Sequence, residues 1–192
     1  MLEEEKKGRS RKKEEEEPFD LKKEIISWIQ IIAAAVIIAL VLNNFIIANS
    51  RVPSGSMENT IMTKSRVIGS RLSYLTDDPE RGDIVIFHYP DDESVYYVKR
   101  VIAVPGDTVL IQNGAVYVNG ELFDEKVDVS AIEEAGLASE ELKLEDDEYF
   151  VLGDNRNNSE DSRYANIGNV KKDYIIGKAW FRVSPWKKFG FI

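Results

Sequence analysis

The chain has 192 residues, a formal net charge of -9, no cysteine and a single histidine, His88. That length suits about one domain, and the acidic balance argues against nucleic acid as a partner, because phosphate binding needs concentrated Lys and Arg. Without Cys there is no disulfide or thiol nucleophile, and with one His a zinc site would have to be built almost wholly from carboxylates, so neither metal nor organic cofactor is expected.

Residues 1–24 are charged and of low complexity, and read as a solvated, disordered tail. Residues 25–47 then run IISWIQIIAAAVIIALVLNNFII, twenty-three residues without a charge. At 1.5 Å per residue this crosses a hydrocarbon core of roughly 30 Å. Trp28 and Gln30 near one end, and Asn43 and Asn44 near the other, suit the two interfaces. The run is longer than the apolar region of a cleaved signal peptide and has no polar face for a soluble helix, so a retained anchor is expected. Lys6, Lys7, Arg9, Arg11, Lys12, Lys13, Lys22 and Lys23 precede it, against Arg51, Lys64 and Arg66 in the twenty residues beyond. The positive-inside rule then puts the tail in the cytoplasm and residues 48–192 outside the cell membrane.

Beyond the span a loop with Pro53 and Gly55 leads into short runs rich in Val, Ile, Tyr and Phe. The runs at 66–68, 83–89, 95–104, 108–112, 115–118, 149–152 and 177–183 read as strands. Asn113-Gly114 is a strong hairpin turn signal, and Asn119-Gly120 a second candidate. The expected fold is mainly β: a single N-terminal transmembrane helix followed by an extracytoplasmic barrel or folded sheet. Residues 121–148 stand apart, with twelve acidic residues and two lysines. They read as a solvated acidic insertion on the surface, with a short helix over 130–142.

A serine hydroxyl needs a base within hydrogen-bond reach. A Ser-His-Asp triad would have to use His88, which reads as an ordinary strand residue. Lysine can serve if it is neutral, and burial away from carboxylates favours the neutral amine. Lys99 lies in the run Val95–Val104, where strand alternation groups it with Tyr97, Val101 and Ala103, and sends Val98, Arg100 and Ile102 to the other face. The run by itself favours an edge lysine snorkelling to water over a desolvated one.

Three stretches change that balance: Arg51-Val52-Pro53-Ser54-Gly55-Ser56-Met57, Tyr97-Val98-Lys99-Arg100-Val101, and Gly153-Asp154-Asn155-Arg156-Asn157-Asn158-Ser159-Glu160-Asp161-Ser162-Arg163. In this order they resemble the boxes of the type I signal peptidases, serine proteases with a lysine general base. Arg81-Gly82-Asp83-Ile84-Val85, Val104-Pro105-Gly106-Asp107 and Gly177-Lys178-Ala179-Trp180-Phe181-Arg182 extend the resemblance over nearly all of the chain beyond the span. It implies Ser56 as nucleophile, Lys99 as general base and Ser54 as side-chain donor to the oxyanion, beside the Ser56 N–H. It implies Ser159 as the serine that orients the lysine amine, Asp161 with Arg163 as a bracing pair, and Asp154 and Arg100 in the supporting network. The chain departs from the family pattern at Asn59, where Pro is usual, at Ile61, where Leu is usual, and at Asn157, where Asp is common.

These roles are chemically coherent. Ser54 is a neutral donor for a developing negative charge. Ser159 can accept from the amine without adding charge, whereas a carboxylate there would raise the lysine pKa and switch off the base. The resemblance implies signal-peptide-bearing preproteins as substrates, cut after small residues. Val52, Pro53, Met57, Ile61, Tyr97 and Val98 flank the proposed reactive pair and are candidates to line shallow apolar subsites, with core packing an equal reading for Ile61. Nine residues separate Ile47 from Ser56, at most roughly 30 Å of chain, which keeps the site near the outer face of the lipid bilayer. The alternative is a membrane-anchored β-domain for binding or assembly without catalysis.

Overall fold

The structure is a computed structural model that describes residues 20–41, 47–52 and 54–192. Residues 1–19, which hold most of the charged tail, and residues 42–46 and 53, with Asn43, Asn44 and Pro53, lie outside it.

Helix α1 spans Leu21–Val41. The Asp20 side chain accepts from the Lys22 N–H at 3.0 Å, an N-terminal cap for backbone donors that have no partner in the helix. That cap starts the helix four residues before the uncharged run, so Lys22, Lys23 and Glu24 form its first turn. Among the described residues it is the one helix long and apolar enough to cross a membrane. Ile47, expected at the end of the span, instead opens strand β1, Ile47–Arg51. An apolar run does not by itself distinguish helix from strand, and pairing with the next strand decides it here.

The unit from Leu40 onward is mainly β. Its further strands are β2 (Arg66–Ser70), β3 (Ile84–Tyr89), β4 (Asp92–Ala103), β5 (Thr108–Gln112), β6 (Ala115–Val118), β7 (Glu121–Leu122), β8 (Leu142–Lys143), β9 (Glu148–Leu152), β10 (Val170–Lys171), β11 (Ile175–Ser184) and β12 (Gly190–Phe191). A short helix α2 (Ser73–Thr76) follows β2. The larger sheet runs β1-β2-β11-β3-β4-β9-β10, with β12 beside β11, and the smaller runs β7-β6-β5-β8.

Alternation along β3 explains how the larger sheet is buried on both faces. Ile84 and Ile86 join Val52, Met57, Ile61, Val67, Val98 and Ala179 in one apolar cluster. Val85 and Phe87 join Val101, Tyr149, Val151, Ile167 and Val170 in another. Each fully buried side chain of this size contributes about 1.5–3 kcal/mol. A third cluster lies under the smaller sheet and includes Ile102, Ala103, Phe150 and Leu152 from the ends of β4 and β9. The β5–β6 turn has Asn113 at φ 52° and Gly114 at φ 78°, and the β6–β7 turn has Asn119 at 54° and Gly120 at 78°. Two successive positive φ values give the primed turn whose twist matches the paired strands.

The acidic segment is not an excursion. Ile132, Ala138 and Leu144 are buried in the third cluster, β7 pairs with β6, and β8 with β5. The expected helix over 130–142 reduces to one 3₁₀ turn, Gly136–Ser139. Gly136 sits at φ 56°, in the left-handed region, and the neighbouring backbone donors are used elsewhere. Ile132 N–H donates to Gly114 O at 2.9 Å and Leu137 N–H to Arg163 O at 2.9 Å.

Candidate active site

The loop between β1 and β2 carries Ser54, Gly55 and Ser56, and folds back as a turn. Glu58 N–H donates to Gly55 O and Ile61 N–H to Met57 O, while Lys64 N–H to Val52 O and Val52 N–H to Ser65 O close its base. Met57 and Ile61 are fully buried in the core next to this turn and do not line the cavity described below. Asn59, where the family usually has Pro, has φ 84°. Proline is locked near -65°, so this turn has a backbone that the usual residue could not adopt.

A cavity of about 540 Å³ opens on this loop. Val52, Ser54 and Ser56 line it together with Tyr97, Val98 and Lys99 from β4 and Asn157, Ser159, Glu160 and Tyr164 from the loop after β9. Three stretches far apart in sequence therefore meet at one concave surface. Ser56, Lys99 and Ser159 are buried, and Ser54 is exposed. Ser54 Oγ donates to Ser56 Oγ at 3.2 Å. The Lys99 ammonium lies 5.4 Å from the centre of the Tyr97 ring. Burial pushes the Lys99 pKa from 10.5 down to about 8, partly offset by the more distant charges of Asp161, Glu160 and Asp154, while Arg163 pushes the same way as burial. Ser159 Oγ is buried without a hydrogen-bond partner among the described residues, which leaves its lone pairs available in the cavity.

The chain turns these residues inward by building a rigid wall behind them. Gly153, at the end of β9, has no room for a side chain: a Cβ there would stand 2.2 Å from Ser159 Oγ and 2.4 Å from Ser56 O. Asn155 N–H donates to Ser56 O and Asn155 Nδ2 to Gly55 O, both at 3.0 Å. Asp161 accepts from Arg163 Nε at 2.7 Å, from Arg163 Nη2 at 3.0 Å and from Gly153 N–H at 3.1 Å. Both members of that pair are buried, so each neutralises a charge that would otherwise be costly there. Asp154 takes a two-pronged pair from Arg100, at 2.8 and 2.7 Å, and a further bond from the Thr60 hydroxyl. Arg100 also donates to Gly82 O at 2.8 Å.

Of the residues named from the sequence, the structure gathers Ser54, Ser56, Lys99, Ser159, Val52, Tyr97 and Val98 around the cavity, and Asp154, Arg100, Asp161 and Arg163 behind it. His88 lies in β3, bonds the Glu93 carbonyl through Nδ1 and packs on Tyr96, and does not line the cavity. Sequence reasoning missed Gly153, Asn155, Arg156 and Glu125. The first three stand inside the third box and could have been marked by it. Glu125 carries no local signal, because its partner Arg156 is 31 residues away. Among the described residues no cluster of metal-ligating side chains occurs.

Comparison with known proteins agrees in extent with this arrangement. Residues 25–186 match the family described as signal peptidase, peptidase S26. A probable signal peptidase I-2 of Synechocystis sp. (strain ATCC 27184 / PCC 6803 / Kazusa) is 37% identical over 86% of this chain and 78% of its own length. Signal peptidase I S of Bacillus subtilis (strain 168) is 36% identical over 87% of this chain and 93% of its own. A crystal structure of a signal peptidase I from Enterococcus faecalis V583 is 31% identical and covers 53% of this chain and 97% of that one, with a TM-score of 0.42. With the matched region taking in all three boxes and every wall of the cavity, the chain belongs to the signal peptidase family, peptidase S26.

Proposed function

We propose that this chain is a membrane-anchored serine endopeptidase that removes N-terminal signal peptides from exported preproteins, with Ser56 as nucleophile and Lys99 as general base. The observation that carries this reading is the burial of Lys99 in the cavity that Ser56, Ser54 and Ser159 share, which brings its pKa to about 8. At that value a useful fraction of the amine is neutral near physiological pH, and a neutral amine can take a proton.

Lys99 Nζ takes the Ser56 hydroxyl proton as Oγ attacks the scissile carbonyl carbon. The oxygen that becomes negative accepts hydrogen bonds from the Ser54 hydroxyl and the Ser56 N–H. The ammonium then gives its proton to the leaving amine, and the signal peptide stays as an ester on Ser56. Water, deprotonated by the same amine, attacks that ester; the bond to Ser56 Oγ breaks, the ammonium returns its proton to Oγ, and the signal peptide leaves as a carboxylic acid. Ser159 Oγ, unpartnered among the described residues, is the neutral acceptor that a Lys99 N–H takes up during the reaction, which turns the amine lone pair toward Ser56.

Substrate selection follows from the walls. β4 pairs with β9 at Arg100, Val101 and Ala103, and the stretch Val95–Lys99 beside the cavity has no strand partner on that edge among the described residues. An extended peptide adds to such an edge by strand pairing. Val52, Tyr97 and Val98 leave shallow apolar subsites, which favours small residues before the cut. Helix α1 anchors the chain with residues 1–24 in the cytoplasm and the β-unit outside the cell membrane, where the bilayer delivers substrates that are themselves inserted.

The test is to incubate the detergent-solubilised protein with a preprotein and sequence the new N-terminus. A single cut after a small residue is expected, absent with Ser56→Ala and unaffected by a chelator. Cleavage that survives Ser56→Ala, or that a chelator abolishes and zinc restores, rejects the reading.

A further inference from the structure

We propose that residues 124–138 are a positioning brace for the reactive loops, with Glu125 as its positioning residue acting through Arg156 on Gly153. The proposal rests on the function assigned above and adds a role for the acidic segment.

The contacts form a short path. The Glu125 carboxylate takes both terminal nitrogens of Arg156, at 2.5 and 2.8 Å. Arg156 is 2% exposed, so this pair sets the position of a buried cation rather than decorating a surface. Arg156 Nε in turn donates to Gly153 O at 3.1 Å. Gly153 is the residue wedged against Ser159 Oγ and Ser56 O, closer than any side chain would permit. Displacement of Arg156 therefore reaches both serines through a single backbone unit.

The rest of the segment grips the same loop. Asn157 Oδ1 accepts from Glu133 N–H at 3.1 Å while its Nδ2 donates to Ala131 O at 2.9 Å. An aspartate, common in the family here, could not donate the second bond, so the departure matches the backbone it meets. Arg163 Nη1 donates to Glu134 O, and Leu137 N–H to Arg163 O. On the nucleophile side, Asn59 Nδ2 reaches Asp128 O at 3.4 Å. The segment is itself fixed from below by Ile132 and Ala138 in the core.

The test is the double variant Glu125→Gln/Arg156→Met, which removes the pair without changing net charge. The charges that Lys99 feels, Asp161, Glu160, Asp154 and Arg163, are then the same in both proteins. A loosened Gly153 admits water to the buried amine, so the basic limb of kcat/KM on a short peptide should move up by about 0.5–1 pH unit. The rate at pH 7 should fall about tenfold or more as the serines lose alignment. The exchange of the Asn155 amide, which donates to Ser56 O, should speed up as well. Should the double variant fail to fold, Asn157→Ala gives the same two readouts with smaller shifts. A limb that stays in place with unchanged Asn155 exchange in a folded variant overturns the brace, whatever the rate. Amide exchange needs no catalysis, so it judges the brace even where the wild type proves not to cleave preproteins.

Discussion

Lys99 and Arg100 are chain neighbours that the pleat of β4 sends to opposite faces and into contrasting surroundings. Arg100 is held by both oxygens of Asp154, whereas Lys99 makes no ion pair with a described residue and is buried beside Tyr97. One cation is fixed by a facing carboxylate, and the other is pushed toward neutrality by loss of water.

From that contrast follows a pH profile. Activity on a peptide without groups titrating in the window should climb through neutral pH and level off above about 8, the value to which Lys99 is lowered. Lys99→Arg should be inactive, since guanidinium does not release its proton at usable pH. A profile already flat above about pH 6.5, the histidine reference, would reject Lys99 as the base.

The same burial has a cost in stability with a definite sign. Below about pH 8 the amine is charged in both the folded and unfolded chain, and the folded chain carries the desolvation cost. Between about 8 and 10.5 only the unfolded chain keeps the proton, so stability rises with pH across that window. Relative to Lys99→Met, the wild type should therefore gain on the order of 3 kcal/mol between pH 7 and full deprotonation. Urea midpoints of the two proteins at pH 7 and pH 10 measure most of this difference, and a gap that does not narrow contradicts it.

Ser56→Ala and Lys99→Ala should each remove nearly all turnover, and the double variant should be hardly worse, because the two act as one unit. Ser54→Ala should retain more, with a loss of roughly 10- to 1000-fold. His88→Ala should be close to wild type. Single-turnover rates on a preprotein decide all five, and loss of catalysis in folded His88→Ala would overturn the Ser-Lys assignment.

Gly153→Ala should inactivate the enzyme although it adds only a methyl group. That methyl would meet Ser159 Oγ at 2.2 Å and Ser56 O at 2.4 Å, and a backbone carbonyl cannot swing aside as a side-chain end can. Overpacking of this kind costs about 1–3 kcal/mol, so the variant should fold and fail to be labelled at Ser56 by a covalent serine reagent. Normal labelling would show that the wedge is softer than its geometry.

Asn59→Pro should lower both Tm and activity, because φ 84° is closed to proline, while Asn59→Gly should keep or raise Tm. A thermal melt of each variant is enough. A stable, active Asn59→Pro would mean that this turn has a second backbone state.

How much of this was legible in the residues depends on the range of the signal. The β5–β6 hairpin was readable because Asn113-Gly114 and its flanking alternation act within ten residues. The two-residue strands β7, β8, β10 and β12 were not, since each exists only through the partner it meets. The helix expected over 130–142 failed for the same reason: its backbone donors found carbonyls at Gly114 and Arg163 instead of within the segment. In the candidate site, Ser56, Lys99 and Ser159 stood in recognisable boxes. The link from Asn155 to Gly55 joins residues 100 apart, and no local pattern encodes it.

The opposed fates of Lys99 and Arg100 make the enzyme sensitive to an error that leaves its composition untouched. A slip of β4 by one residue in one direction would bring a permanently charged guanidinium to the nucleophile and Val101 to Asp154, and in the other would give Asp154 the lysine and leave Val98 at the nucleophile. Two irregularities bracket the strand against such a slip, one between His88 and Tyr89 on the β3 side and one between Val101 and Ala103 on the β9 side. Each interrupts the even ladder along which a strand could creep. Insertions or deletions in the β3–β4 turn, remote from every reacting atom, would then act as all-or-none switches of chemistry rather than as graded losses of stability.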